Sequence, residues 1–141
     1  ASLTSVTFGQ DSQLTEIGNY AFQVCGSLTS ITIPDGVTEI ADNAFQYTGL
    51  TSVTFGDDSQ LTGIGIEVFY NCNVLTSITI PDGVTSIESN AFTVSGLTEV
   101  MIDVVAPIVE TDSIFSGSGQ SFYGATGVTI TVTGATIFRF N

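Results

Sequence analysis

Fourteen carboxylates, one basic side chain (Arg139), two cysteines and no histidine are the chemistry-bearing residues of this 141-residue chain. Without histidine, neither a Ser-His-Asp nor a Cys-His relay can be assembled. Paired carboxylates satisfy the residue types of glycoside hydrolysis. Here, however, the aspartates recur in turns: Asp11, Asp57 and Asp58 in wide loops, Asp35 and Asp82 in Pro-Asp-Gly turns. Turn aspartates serve local hydrogen bonding, so a solvated acidic face is the expectation. Asp11, Asp57 and Asp58 are also the oxygen ligands a Ca²⁺ would use if carboxylates stacked in neighbouring turns. Their loops carry no calcium-repeat pattern, and neither a metal nor a cofactor is expected.

These residues are placed by a repeat. Leu3-Thr4-Ser5-Val6-Thr7-Phe8 returns at Leu28, Leu50 and Leu75, and in degraded form at Leu97, with steps of 25, 22, 25 and 22 residues. The higher unit is therefore 47 residues. A fixed period of this size specifies a solenoid, in which no single repeat can bury its apolar face alone. Each repeat opens with a Thr, Val, Ile and Phe-rich strand, suited to a half-buried pleated surface. A turn follows: Pro34-Asp35-Gly36 and Pro81-Asp82-Gly83 in the short repeats, Gly9-Gln10-Asp11-Ser12-Gln13 and Gly56-Asp57-Asp58-Ser59-Gln60 in the long ones. Then come a second extended piece (Leu14–Ile17, Val37–Ile40, Leu61–Ile64, Val84–Ile87) and a small-residue-plus-Phe unit at Phe22, Phe45, Phe69 and Phe92. The expected fold is a β-rich, leucine-rich-repeat-like solenoid. It is a right-handed coil with one parallel strand per 22–25-residue repeat and short second strands and turns on the other side. In the first coil Leu3, Val6, Phe8, Leu14, Ile17, Ala21 and Phe22 are expected inside, and the phenylalanines should stack in a column. Residues 1–102 would hold four full coils and the start of a fifth. Residues 103–141 would be a degenerate last repeat with the closing strand Val128–Thr133, and Ile137–Asn141 folded over the core end. The whole is one continuous solenoid.

Three groups of residues acquire positions from this coil. Cys25 and Cys72 fall two coils apart, about 9–10 Å at ordinary strand spacing, beyond the roughly 7 Å between Cα atoms that a disulfide spans. With Thr48 and Ser95 they form a column of small residues, and both thiols are expected free. Alternation along the strands buries Val6 and its equivalents. It turns Ser5, Thr7, Ser30, Thr32, Ser52, Thr54, Ser77 and Thr79 outward as an uncharged hydroxyl lattice, broken in the fifth coil by Glu99 and Met101. That face is the candidate binding surface for a protein or glycan; an ice-binding lattice is a distant alternative. Gln46 is expected on the outside, on the opposite side of the coil.

The formal net charge is −13, which repels phosphate backbones and anionic lipid and excludes nucleic acid as a partner. No apolar run approaches the roughly 18–20 residues that span a bilayer, so membrane insertion is not expected. The absence of Lys and His suits a secreted protein kept soluble by repulsion. Ala1-Ser2 opens directly onto a repeat strand, with no polar capping unit. The chain thus reads as a piece of a longer protein with a neighbouring domain at its N-terminal end.

Residues 28–45, Leu-Thr-Ser-Ile-Thr-Ile-Pro-Asp-Gly-Val-Thr-Glu-Ile-Ala-Asp-Asn-Ala-Phe, resemble the repeat of the BspA-like leucine-rich repeat proteins. Residues 75–92 match it equally well, and Cys25 and Cys72, each three after a Phe, also fit. The resemblance covers residues 3–102 well and 103–133 loosely. It implies the solenoid fold and a surface-exposed or secreted location, with adhesion and host-matrix binding in some members. It brings no catalytic residues. The near absence of basic side chains counts against a heparin-like or acidic ligand. The expectation is therefore a non-enzymatic extracellular adhesion module that binds protein or glycan through its strand face. The alternative is a structural spacer, or a filament or surface-layer subunit that contacts copies of itself.

Overall fold

The structure, a computed structural model, describes residues 2–97, 99–102 and 129–132. The degenerate repeat at 103–128, the Ile137–Asn141 tail and Arg139 lie outside these residues.

The described chain winds as stacked coils with three sides. The first side carries the Ser/Thr strands β2 (Ser30–Ile33), β4 (Ser52–Phe55), β6 (Ser77–Ile80), β8 (Glu99–Ile102) and β9 (Thr129–Val132). The second carries the two-residue strands β1 (Glu16–Ile17), β3 (Glu39–Ile40), β5 (Gly63–Ile64) and β7 (Ser86–Ile87). These four pair in parallel in chain order, Ile17 on Ile40 on Ile64 on Ile87. β8 pairs in parallel with both β6 and β9. From β2 to β4, from β6 to β8 and along the second side, each paired step is one repeat long, so there the second strand and arc serve as the crossover that a parallel pair requires.

The third side is an arc without ladder strands, and its backbone hydrogen bonds explain how it stacks. The N–H groups of Tyr20, Phe22 and Val24 donate to the carbonyls of Asp42, Ala44 and Gln46 in the next coil. The intervening N–H groups of Ala21, Gln23 and Cys25 close tight turns on Gly18, Tyr20 and Phe22. The pattern repeats one coil on, where Asn43, Phe45 and Tyr47 donate to Ile66, Val68 and Tyr70. Aiming alternate donors along the stack requires left-handed residues, two in each of four coils: Tyr20 and Val24, Asn43 and Tyr47, Glu67 and Asn71, Asn90 and Val94, with φ from 54° to 60°. None is glycine, and two are valines, for which this region is costly.

Inside, like stacks on like. Leu28, Leu50 and Leu75 are fully buried, as are Val37, Leu61 and Val84. Burying each such side chain contributes about 1.5–3 kcal/mol. Phe22, Phe45, Phe69 and Phe92 form the expected column, with ring centroids 5.2, 5.5 and 5.3 Å apart and planes within 9° of parallel. Where coils touch through backbone, only glycine fits: a Cβ on Gly49 would overlap the Gly26 carbonyl oxygen, and one on Gly96 that of Asn73.

Two expectations require correction. Leu3–Phe8 forms no ladder, and Leu3 and Ala21 are exposed rather than inside; among the described residues the first coil packs only on the second. The Ser/Thr sheet is also not continuous. It divides into β2–β4 and β6–β8–β9, with no ladder between β4 and β6. The break falls where a long coil is followed by a short one. The long loop grips the turn behind it: the Gln60 N–H donates to the Asp35 carbonyl at 2.8 Å, and the Asp35 carboxylate lies against Gly56. Toward the turn ahead, Pro81-Asp82, a cavity opens instead.

Candidate functional site

The hydroxyl face forms as expected over the described side chains. Along β2 and β6 burial alternates exposed, buried, exposed, buried; β4 follows until its last residue. Register sets Ser30 beside Ser52 and Thr32 beside Thr54. Ser5 and Thr7 are exposed on the first coil, but outside any ladder. Glu99 and Met101 lie on β8 in register with Ser77 and Thr79 on one side and Thr129 and Thr131 on the other. The lattice is thus built in two blocks rather than one. At the entrance to β4 a threonine caps the coil behind: Thr51 Oγ1 donates to the Thr29 carbonyl at 3.0 Å.

The last strand position alternates in a way that matters. Short coils place Ile33 and Ile80 there, 2% and 0% exposed. Long coils place Phe8 and Phe55 there, and both are only half buried. Each half-open phenylalanine lines a notch of about 440 Å³. In one notch, Phe55 and Asp57 face Asp82 of the next turn. In the other, Phe8 and Gln10 face Asp35. The two sets are related by the 47-residue period, so the notches are copies of one another. Sequence reasoning missed them. Their signal was the joint alternation of Phe with Ile and of the wide loop with Pro-Asp-Gly.

The wide loops close on themselves. Gln13 Nε2 donates to the Asp11 carbonyl and Gln60 Nε2 to that of Asp58, each at 3.1 Å. Ser12 and Ser59 hydroxyls accept the Leu14 and Leu61 N–H groups. Asp11, Asp57 and Asp58 are exposed, and the described residues hold no grouping of three or more His, Cys, Asp or Glu that could share a metal ion.

Cys25 and Cys72 are buried free thiols. Thr48, in the coil between, fills the column: its hydroxyl lies 3.2 Å from Cys72 Sγ, which also donates to the Phe45 carbonyl at 3.2 Å. Burial raises the Cys72 thiol above its ordinary value, and the two hydrogen bonds from Thr48 offset this only in part. The site is inert packing rather than chemistry.

Gln46 was expected outside and is buried. Its carboxamide accepts from Gln23 Nε2 at 2.6 Å and donates to Glu67 Oε2 at 2.8 Å, which Asn43 also bonds at 3.0 Å. A polar chain across three coils had taken the place assigned to solvent. Exposed large apolar residues of the arc include Tyr20, Val24, Tyr47 and Ile66, with Tyr47 edge-on to Tyr70 at 5.7 Å.

Stacked parallel strands, leucine ladders and a connecting arc define a leucine-rich-repeat solenoid. The model of the BspA type leucine rich repeat region matches residues 1–121 in six copies, and the chain belongs to that family. A solved structure, the leucine rich repeat protein TpLRR of T. pallidum, is similar at 26% identity with a TM-score of 0.52. The match covers 62% of this chain and 52% of that one, so this chain spans about half of its length. No curated protein matches. The repeat class is one of protein-interaction modules. No helix among the described residues is long and apolar enough to cross a membrane.

Proposed function

We propose that the chain is a non-enzymatic, extracellular binding and adhesion module that holds a protein partner on its strand face. The observation that carries this reading is the exposed, uncharged array of Ser30, Thr32, Ser52, Thr54, Ser77 and Thr79 on paired strands. Rigid backbone holds these hydroxyls, and a partner docks there without stripping water from carboxylates, which is costly. The net charge of −13 surrounds this neutral strip and selects neutral or basic partners. A surface-exposed or secreted location agrees with the family.

The test is capture of extracellular-matrix proteins by two variants of equal charge change. Ser30→Arg with Ser52→Arg obstructs the strand face. Glu39→Arg places the same added charge on β3, on the second side. Capture is expected to fail in the first variant and persist in the second. Equal loss in both, or loss in Glu39→Arg alone, contradicts the reading. A second reading, a spacer or self-assembling subunit with a neighbour at its first coil, is supported by Leu3 at 39% exposure and half-buried Val6, Phe8 and Leu14. Concentration-dependent sedimentation separates it from the first.

A further inference from the structure

We propose that the two notches are cation-receiving pockets that together read a basic peptide in the polyproline II conformation, with Arg or Lys at positions i and i+3. This deepens the strand-face reading and rests on it. Each notch pairs a half-open phenylalanine ring with a carboxylate rim: Phe55 with Asp57 and Asp82, Phe8 with Asp35. An aromatic face attracts a cation, and the apolar wall accommodates the aliphatic stem of Lys or Arg while the head stays at the rim. The same position in the short coils is a fully buried isoleucine, so the ring is presented only where the sheet breaks. With one basic residue in the chain, the matching cation comes from a partner.

Spacing selects the conformation. The notches lie two coils apart, about 10 Å along the stack. A polyproline II helix advances about 9.3 Å in its three-residue turn, which returns i and i+3 to one side. An extended strand alternates sides and puts i and i+3 on opposite faces. Between the notches the chain must cross a closed ridge, where the Asp35 carboxylate covers Gly56 and β2 pairs with β4. A helix that carries no internal hydrogen bonds and keeps its arginines on one side can cross that ridge.

The experiment titrates the protein, at low ionic strength, with two peptides of identical composition: Pro-Arg-Pro-Pro-Arg-Pro and Pro-Arg-Pro-Arg-Pro-Pro. The first is expected to bind about tenfold more tightly, because only it engages both notches at once. Asp57→Asn with Asp82→Asn is expected to abolish that advantage, whereas Glu16→Gln with Glu39→Gln, an equal charge change on the second side, leaves it. Gln10→Asp, which gives the first notch the second carboxylate of its copy, is expected to tighten binding several-fold. Equal affinity for the two peptides overturns the proposal, as does equal weakening by the two charge-matched double variants. If the peptides fail in this way while Ser30→Arg with Ser52→Arg still blocks matrix-protein capture, the notch proposal falls and the strand-face reading stands.

Discussion

At the residue scale, backbone strain and one buried thiol make the clearest expectations. Val24 is 55% exposed and holds φ 60°, a conformation that its branched side chain resists. Asn tolerates that region far better and occupies the same place two coils on, at Asn71. Val24→Asn is therefore expected to stabilise the protein by about 0.5–1 kcal/mol in chemical denaturation, since left-handed residues cost about 1–2 kcal/mol. Unchanged or lower stability would show that the Val24 side chain contributes packing that offsets its strain. Gly49→Ala should act the other way, because its Cβ meets the Gly26 carbonyl rather than a yielding side chain. Cys72 gives a pH dependence with a definite sign. Burial raises the folded-state value above the ordinary 9.0, so the folded chain holds this proton after the unfolded chain has released it. The stabilisation is complete below about pH 9 and declines as pH rises through the folded value. Wild type should lose more stability than Cys72→Ala between pH 8 and about 10. Parallel pH curves for the two proteins would remove Cys72 as the cause.

At the scale of elements, the phenylalanine column tests the stacking itself. Phe45 is fully buried between Phe22 and Phe69, so Phe45→Ala leaves a cavity walled on both sides and should cost about 3–5 kcal/mol. Phe22→Ala, at the half-open first coil, should cost clearly less; equal costs would contradict the difference in burial. The column, the leucine ladders and the outward hydroxyls were legible in the sequence because each repeat states the same burial pattern again. The arc and the notches were not. Gln46 looks like a surface residue by type, and only the coil alignment of Gln23, Gln46 and Glu67 shows that it is enclosed by its own hydrogen bonds. Nor does a strand motif reveal whether it pairs forward. Leu-Thr-Ser-Val-Thr-Phe at 50–55 reads like its neighbours, yet β4 pairs with β2 and not with β6, because the loop that follows it closes on the turn behind.

For the whole molecule, charge and shape set both stability and recognition. A net charge of −13 with one basic side chain to offset it makes self-repulsion the main electrostatic term. Raising NaCl from about 10 mM to about 500 mM should raise Tm, since the screening length contracts to a few ångströms; a falling Tm would mean that attractive ion pairs dominate. The same field leaves a neutral hydroxyl strip as the least costly place for a protein partner. A footprint tests that claim most directly: amide hydrogen exchange with and without a captured matrix protein. Added protection is expected on β2, β4 and β6 and on the turns at 34–36, 56–60 and 81–83, with no change along the arc at 41–48. Protection of the arc with the strand face unchanged would contradict it and place recognition on the opposite side of the solenoid.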